Sequence, residues 1–203
     1  MRVKLMSWFL LTLVRVLTGA QARWHGCPPK AEQRIYFANH QSHADLVMIW
    51  AALPRELRHM TRAIAARDYW TKTPFKQWLT SKVFNVIYVS RQRMADEDPL
   101  EPLLEALGRG DSIILFPEGT RGHAGDPRPF KAGLYNLALQ CPQAVLVPAW
   151  INNVQHVLPK GEVVPVPVLC SVTFGAPIQL QPGEERRAFL ERARDAVVAL
   201  RDV

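Results

Sequence analysis

The sequence predicts an α/β fold: a single domain in which a mixed central sheet is flanked by helices. Three observations predict it. Short apolar runs of strand length alternate with amphipathic stretches over most of the chain, the pattern of strands joined by covering helices. Prolines and glycines punctuate the joints, with Pro54, Pro99, Gly108 and Pro142 at the ends of helical stretches,. The chain has 203 residues, 48% of them hydrophobic, which suits one large core and excludes a disordered chain.

The first element is helical. After Met1-Arg2-Val3-Lys4 the residues from Leu5 to Leu17 are almost all apolar. At helical spacing Lys4, Ser7, Leu11, Arg15 and Thr18 share one narrow stripe, and Trp8, Phe9, Leu10, Leu13, Val14 and Leu17 cover most of the rest. A thin polar edge on an apolar helix predicts an N-terminal helix at a membrane interface. Two alternatives stay open. The unbroken run Leu5–Val14 is half of the ~20 residues a spanning helix needs. Ala20-Gln21-Ala22 has the small-x-small form of a signal cleavage site, although Arg15 interrupts the apolar region,. Residues 1–22 are therefore a hydrophobic anchor and 23–203 the domain, with 23–33 a polar linker containing Gly26, Pro28 and Pro29.

The domain then reads in order. A strand covers 34–38, and a helix from Ser42 to Leu53 is stopped by Pro54. Residues 57–64 read as a strand. Residues 66–82 are helical in two pieces around Pro74; the alternation of Trp70, Lys72, Phe75, Lys76, Trp78 and Lys82 suits either a headgroup layer or a packed helix with a solvated face,. A strand at 83–89 follows. The helix at 98–109 places Leu100, Leu103, Leu104 and Leu107 on one face. After a strand at 112–116 and a loop at 122–129 come a helix at 131–141, strands at 144–150 and 166–174, and a helix at 184–201.

Lys and Arg outnumber Asp and Glu, 25 to 18, for a net charge of +7. The excess is concentrated: Arg55, Arg58, Arg62, Arg67, Lys72, Lys76, Lys82, Arg91 and Arg93 face only Glu56 and Asp68. Such a stretch suits membrane lipid, a phosphorylated substrate or an acidic carrier protein. No helix-turn-helix, zinc-finger or aromatic ribonucleoprotein pattern supports nucleic acid as a partner. Cys27, Cys141 and Cys170 show no C-x-x-C spacing, against a disulfide framework or a zinc ribbon.

Chemistry concentrates in two stretches. Asn39-His40-Gln41-Ser42-His43-Ala44-Asp45 lies between the first core strand and its helix. A carboxylate on one imidazole nitrogen makes the other a general base. The same residues read H-x-x-H-x-D, a fragment of a metal site for which His123 and His156 are the spare ligands,. Ser42 lacks the G-x-S-x-G context of a nucleophile, and a polar turn or helix cap is the plainest reading. The second stretch, Asp111 to Gly122, runs from a strand into Phe116-Pro117-Glu118-Gly119-Thr120-Arg121. Its polar residues leave the sheet at the carboxyl end, where open α/β sheets bind ligands. Arg121 offers a planar fork for phosphate; an ordinary surface turn with an ion pair is the alternative.

Together, N-H-x-x-x-x-D and F-P-E-G-T-R resemble the glycerolipid acyltransferases, the lysophosphatidate acyltransferases and their relatives. Val86 to Arg91 resembles a further block of that family, with Ser90 in place of the usual acid, and Val147-Pro148-Ala149-Trp150 another, with Trp150 bulkier than usual. Phe130-Lys131-Ala132-Gly133 is similar to the segment that follows the Arg motif. The resemblance spans roughly residues 30–180, most of the chain. It implies transfer of a fatty acyl group from acyl-CoA or acyl carrier protein to the free hydroxyl of 1-acyl-glycerol-3-phosphate, giving phosphatidate in phospholipid biosynthesis. No cofactor, metal or covalent enzyme intermediate is implied. His40 is then the base and Asp45 its orienting acid. Glu118, Gly119, Thr120 and Arg121 shape the acceptor site, a buried Arg121 guanidinium takes the phosphate, and Lys131 and Lys72 supply further phosphate contacts. Asn39 and Pro117 are structural. The expected location is the membrane surface, on the cytoplasmic face of the inner membrane. Another lysolipid acceptor, such as a lyso-ornithine lipid, and a non-catalytic membrane-binding protein are the alternatives.

Overall fold

A computed structural model describes residues 2–19, 21–42, 44–89, 98–122, 125–153 and 169–203. In chain order the elements are α1 (Arg2–Thr18), β1 (Gln21–Trp24), β2 (Arg34–Ala38), α2 (Asp45–Ala52), α3 (Arg55–Met60), β3 (Thr61–Ala66), α4 (Arg67–Trp70) and α5 (Pro74–Trp78). A π-helical turn (Leu79–Val83) continues α5 and leads to β4 (Ile87–Val89). Then come α6 (Glu101–Gly108), β5 (Ser112–Leu115), α7 (Gly133–Gln140), β6 (Val145–Asn152), β7 (Ser171–Phe174) and α8 (Arg186–Val198).

The strands form one seven-stranded sheet in the order β1-β7-β6-β2-β5-β3-β4. Every neighbouring pair is parallel except β6 and β7, so the sheet is mixed. The central strand β2 is buried along its whole length. Its Arg-Ile-Tyr-Phe-Ala sequence carries no polar face because both faces are covered. Tyr36 and Ala38 join α2, the π-helical turn and α1 on one side; Ile35 and Phe37 join α6, α7 and α8 on the other. Arg34 is buried at the start of the strand. Its guanidinium is satisfied by Glu32 at 2.6 Å, the Pro28 carbonyl at 2.8 Å and the Cys27 sulfur at 3.4 Å.

Several elements differ from the sequence expectation, for identifiable reasons. Residues 23–33 are not all linker: Gln21–Trp24 pairs with β7, and Trp24 stacks on Phe174 at 4.1 Å. The partner lies far along the chain, so a local pattern does not reveal the strand. The expected strand at 57–64 is instead α3 followed by β3. Arg, Glu, Leu and Met are good helix formers, and the Thr61 hydroxyl closes the helix on the Leu57 carbonyl at 2.6 Å. The expected strand at 83–89 is shortened to β4, because Asn85 takes a left-handed turn at φ 54°. Pro74 does open the second helical piece of 66–82, where its fixed φ suits a first turn.

The helix α1 is present, but its polar stripe is not solvated throughout: Arg15 is exposed and Ser7 half-buried. Thr18 is buried and turns its hydroxyl onto the Val14 carbonyl at 2.7 Å, which allows a polar residue to pack inward. Val3, Met6, Leu10, Leu11 and Val14 pack on the core. Among the described residues no helix is long and apolar enough to cross a membrane.

Candidate active site

Strands β2 and β5 are parallel neighbours in register, with Phe37 opposite Leu115. The two polar stretches therefore leave the same edge of the sheet side by side. Hydrogen bonds then join them. The His40 N–H donates to Glu118 Oε1 at 2.7 Å, and the His40 carbonyl accepts from the Gly122 N–H at 2.8 Å. The second motif thus holds the backbone of the first on both sides of the imidazole.

The His40 side chain is 20% exposed, and its Nδ1 lies 2.8 Å from Asp45 Oδ2. That one oxygen also accepts the N–H groups of Gln41 and Ser42 at 2.7 and 2.8 Å. Asp45 is therefore both the imidazole's partner and the clasp of the turn, and α2 begins at Asp45 rather than at Ser42. With donors converging on an acceptor carboxylate, the shared proton belongs on Nδ1 and the lone pair on Nε2. Nε2 makes no hydrogen bond among the described residues. The ring stacks on Phe116 with centroids 4.4 Å apart and planes 17° from parallel. The Ser42 hydroxyl accepts from the Ala44 N–H at 3.2 Å, a turn contact.

Asn39 braces the edge from the other neighbour. Its side chain exchanges two hydrogen bonds with the backbone of Ile151, at 3.0 and 2.8 Å, extending the pairing of β2 with β6 beyond the last strand residue. Pro117 is buried, and its carbonyl accepts from the Lys131 N–H at 2.9 Å.

Glu118 sits deeper than an acceptor-binding role implies. It is 2% exposed, and its second oxygen, Oε2, accepts from the Arg128 N–H at 2.8 Å. The carboxylate bonds three segments of backbone together. Gly119, Thr120 and Arg121 are exposed instead, which corrects the expected buried Arg121 guanidinium. The backbone turns outward at Gly119, whose φ of +68° favours glycine,. A β-carbon there would meet Lys131 Nζ at 2.6 Å, so the lysine amine lies over the turn. Lys131 is itself exposed, as is Lys72 beyond the carboxyl end of β3. Lys72 makes no hydrogen bond or ion pair to either motif among the described residues.

His43, Ser90, Arg91, His123 and His156 lie outside the described residues. Among those described, no group of three or more His, Cys, Asp or Glu side chains is placed to hold a metal ion. Cys27, Cys141 and Cys170 are buried and form no disulfide among the described residues. Burial pushes all three thiols up, Cys170 to about 11, the reverse of what an activated thiolate requires. The arrangement offers a positioned imidazole base beside an exposed, cationic rim.

Sequence reasoning missed the Phe116 stack, the Glu118 brace and the Arg128 N–H. Phe116 reads only as the apolar end of a strand. Glu118 had a signal in its position beside a turn glycine, but its N–H donors, His40 and Arg128, lie in other stretches of chain.

An acyltransferase family model matches residues 24–152. The human 1-acyl-sn-glycerol-3-phosphate acyltransferase alpha is 30% identical over 159 residues, 75% of this chain and 53% of that protein. The Borreliella burgdorferi 1-acyl-sn-glycerol-3-phosphate acyltransferase is 30% identical over 136 residues, 66% of this chain and 51% of that one. The chain spans about half the length of these curated relatives. The crystal structure of the 1-acyl-sn-glycerophosphate (LPA) acyltransferase PlsC from Thermotoga maritima superposes with a TM-score of 0.70 at 22% identity, covering 98% of this chain and 78% of that one. At that identity the likeness speaks for the fold.

Proposed function

Because the chain belongs to the acyltransferase family, with the family model matching residues 24–152, we propose that it acylates the free hydroxyl of 1-acyl-glycerol-3-phosphate from an acyl thioester. The observation that carries the reading is the His40–Asp45 pair, with Nδ1 held at 2.8 Å and Nε2 unpaired among the described residues. The acceptor hydroxyl gives its proton to His40 Nε2 as its oxygen attacks the thioester carbonyl. Asp45 steadies the imidazolium that forms. The tetrahedral intermediate collapses, the carbon–sulfur bond breaks, and the departing sulfur takes the proton back from Nε2. The products are phosphatidate and the free thiol of coenzyme A or of the carrier protein. No residue of this chain is acylated on the way.

Arg121 and Lys131, exposed beside Gly119, are suited to the acceptor phosphate. An exposed guanidinium becomes desolvated only when the headgroup covers it, so its contact forms with substrate rather than before it. Lys72, which follows β3 and α4 in the chain, is a further phosphate contact on this reading. The enzyme works at the membrane surface, on the cytoplasmic face of the inner membrane, where thioester donors meet lysolipids.

The test is a transfer assay with purified protein, a radiolabelled acyl thioester on coenzyme A or on acyl carrier protein, and a panel of lysolipids. The expected result is labelled phosphatidate from lysophosphatidate, with slower acylation of phosphate-free acceptors. Preference for a lyso-ornithine lipid would reassign the acceptor. No transfer to any acceptor from either donor would overturn the reading.

A further inference from the structure

Helix α8 lies outside residues 24–152, the span of the family match, yet contacts lead from it to His40. The helix is anchored in the core by the fully buried Phe189, Ala193 and Val197, and it packs on β6 and α7. Arg194 on α8 and Arg201 in the turn after it are about two helical turns apart,. Both reach the same carboxylate, Asp126.

Arg194 Nε donates to the Pro127 carbonyl at 2.8 Å, and its Nη2 lies 3.6 Å from Asp126 Oδ2. Arg201 Nη2 donates to Asp126 Oδ1, while its guanidinium lies over the Trp150 ring at 4.9 Å. The Arg201 hydrogen bond and charge hold the Asp126 carboxyl below its usual range, and the Arg194 charge adds to this. A lone exposed ion pair fixes little. Here two ion pairs and a carbonyl bond converge on adjacent residues, and Pro127 is buried with its φ set by its ring,. Arg128 is next in the chain, and its N–H is the donor that Glu118 Oε2 accepts. Glu118 Oε1 in turn holds the His40 N–H. Trp150 supplies a second route, because it precedes Ile151, whose backbone holds Asn39 beside His40.

We propose that Asp126, Arg194 and Arg201 are positioning residues for His40, acting through the Arg128 N–H and Glu118. Without them residues 126–128 lose their tether to α8, and Oε2 loses its donor. The carboxylate then keeps only the His40 N–H among the described residues, and it is free to rotate. The turn that aims Nε2 loosens with it. Substrates still bind, but the imidazole meets the acceptor hydroxyl at a poorer distance and angle, so the loss falls on kcat. The inference rests on the reading of His40 as the base.

Two variants test it: Asp126→Ala, at an exposed position, and Arg194→Gln/Arg201→Gln. Arg187→Gln, which breaks an exposed ion pair with Glu191 on the same helix, is the control. Amide hydrogen exchange is followed by NMR on the full chain without substrate, and kinetics are measured with lysophosphatidate and an acyl thioester. In both test variants the His40 and Arg128 amides should exchange about tenfold faster, with Ile35 and Phe37 unchanged. Turnover should fall about tenfold, with both KM values within about twofold of the unmodified protein. The control should match the unmodified protein in every measurement. Unchanged exchange at His40 in the folded variants would overturn the proposal. So would faster exchange at His40 with unchanged kcat, and so would equal acceleration at His40, Ile35 and Phe37, which would make α8 a prop for the whole sheet. If exchange follows the expected pattern in a protein inert towards every lysolipid, the tether to His40 stands and its role as the base falls.

Discussion

The turn that carries His40 and the loop that carries Arg121 leave adjacent strands and are built in opposite ways. Around His40 and Asp45 the turn is tied down: one carboxylate oxygen takes three contacts, from the His40 ring and the Gln41 and Ser42 N–H groups, and a second carboxylate secures the His40 N–H. From Gly119 to Arg121 the side chains are exposed, and the loop is secured at its flanks by the Glu118 carboxylate and the Gly122 N–H. The difference separates two demands on such a site. A proton-transfer group must be held within a fraction of an ångström before substrate arrives. A group that recognises a headgroup can wait in water until the headgroup displaces that water.

The sharpest way to break the comparison is at the tied-down end. His40→Ala should lower kcat/KM by about 10²- to 10⁴-fold, with circular dichroism and vesicle binding unchanged. Near-normal turnover by the purified variant would refute the base assignment. Asp45→Asn should follow, at about 10²-fold or more. The Gln41 and Ser42 N–H groups keep the amide oxygen at the Oδ2 position, so the ring faces a neutral acceptor and loses the carboxylate charge that steadies the imidazolium,. An unaltered rate in this variant would show that the carboxylate serves the turn alone.

Glu118→Ala probes the join between the two regions. It leaves the N–H groups of His40 and Arg128, both in partly buried contacts, without their acceptor, at about 1 kcal/mol each. For a chain of this size 2 kcal/mol corresponds to a drop in Tm of roughly 4–8 °C. Calorimetry showing no change would mean that water takes over both donors.

At the exposed end the effects should be smaller and selective. Arg121→Ala should raise KM for lysophosphatidate by about tenfold, or ~1.4 kcal/mol, while KM for the thioester stays nearly constant. Arg121→Lys should lie between the two, since it keeps the charge and loses the fork. Parallel changes in both KM values, together with a lowered Tm, would make Arg121 a brace like Glu118. The smallest expected effect is none: EDTA should leave the rate unchanged. Loss of activity restored by zinc would promote the H-x-x-H-x-D reading.

What the sequence makes legible follows the range of the interactions. β2 is visible because burial on both faces leaves an unbroken apolar run, and α2 because Pro54 stops it. β1 is invisible because four mostly exposed residues become a strand only against β7. In α3, Leu57 and Met60 between charged residues resemble a strand, and local helix propensity decides otherwise. The site divides in the same way. His40 and Asp45 are close in sequence and meet across a single turn. The Glu118 contacts to His40 and Arg128, the Asn39 contact to Ile151 and the Phe116 stack each depend on the sheet order, which no local pattern encodes.

The Glu118 brace also bears on how such an edge can be altered piecemeal. Residues 118 and 122 are bonded to His40, so the two motifs form one mechanical part at those points. Between them, the side chains of 119–121 make no hydrogen bond among the described residues and are exposed. The interchangeable unit is thus three residues long and fits between fixed anchors. A transplant of the whole loop that replaces Glu118, or puts a side chain at 122 where a β-carbon would meet Glu118 Oε2 at 3.1 Å, disturbs His40 as well as the rim. A transplant confined to 119–121, with glycine retained at its head, changes what the rim recognises and leaves the imidazole where it was.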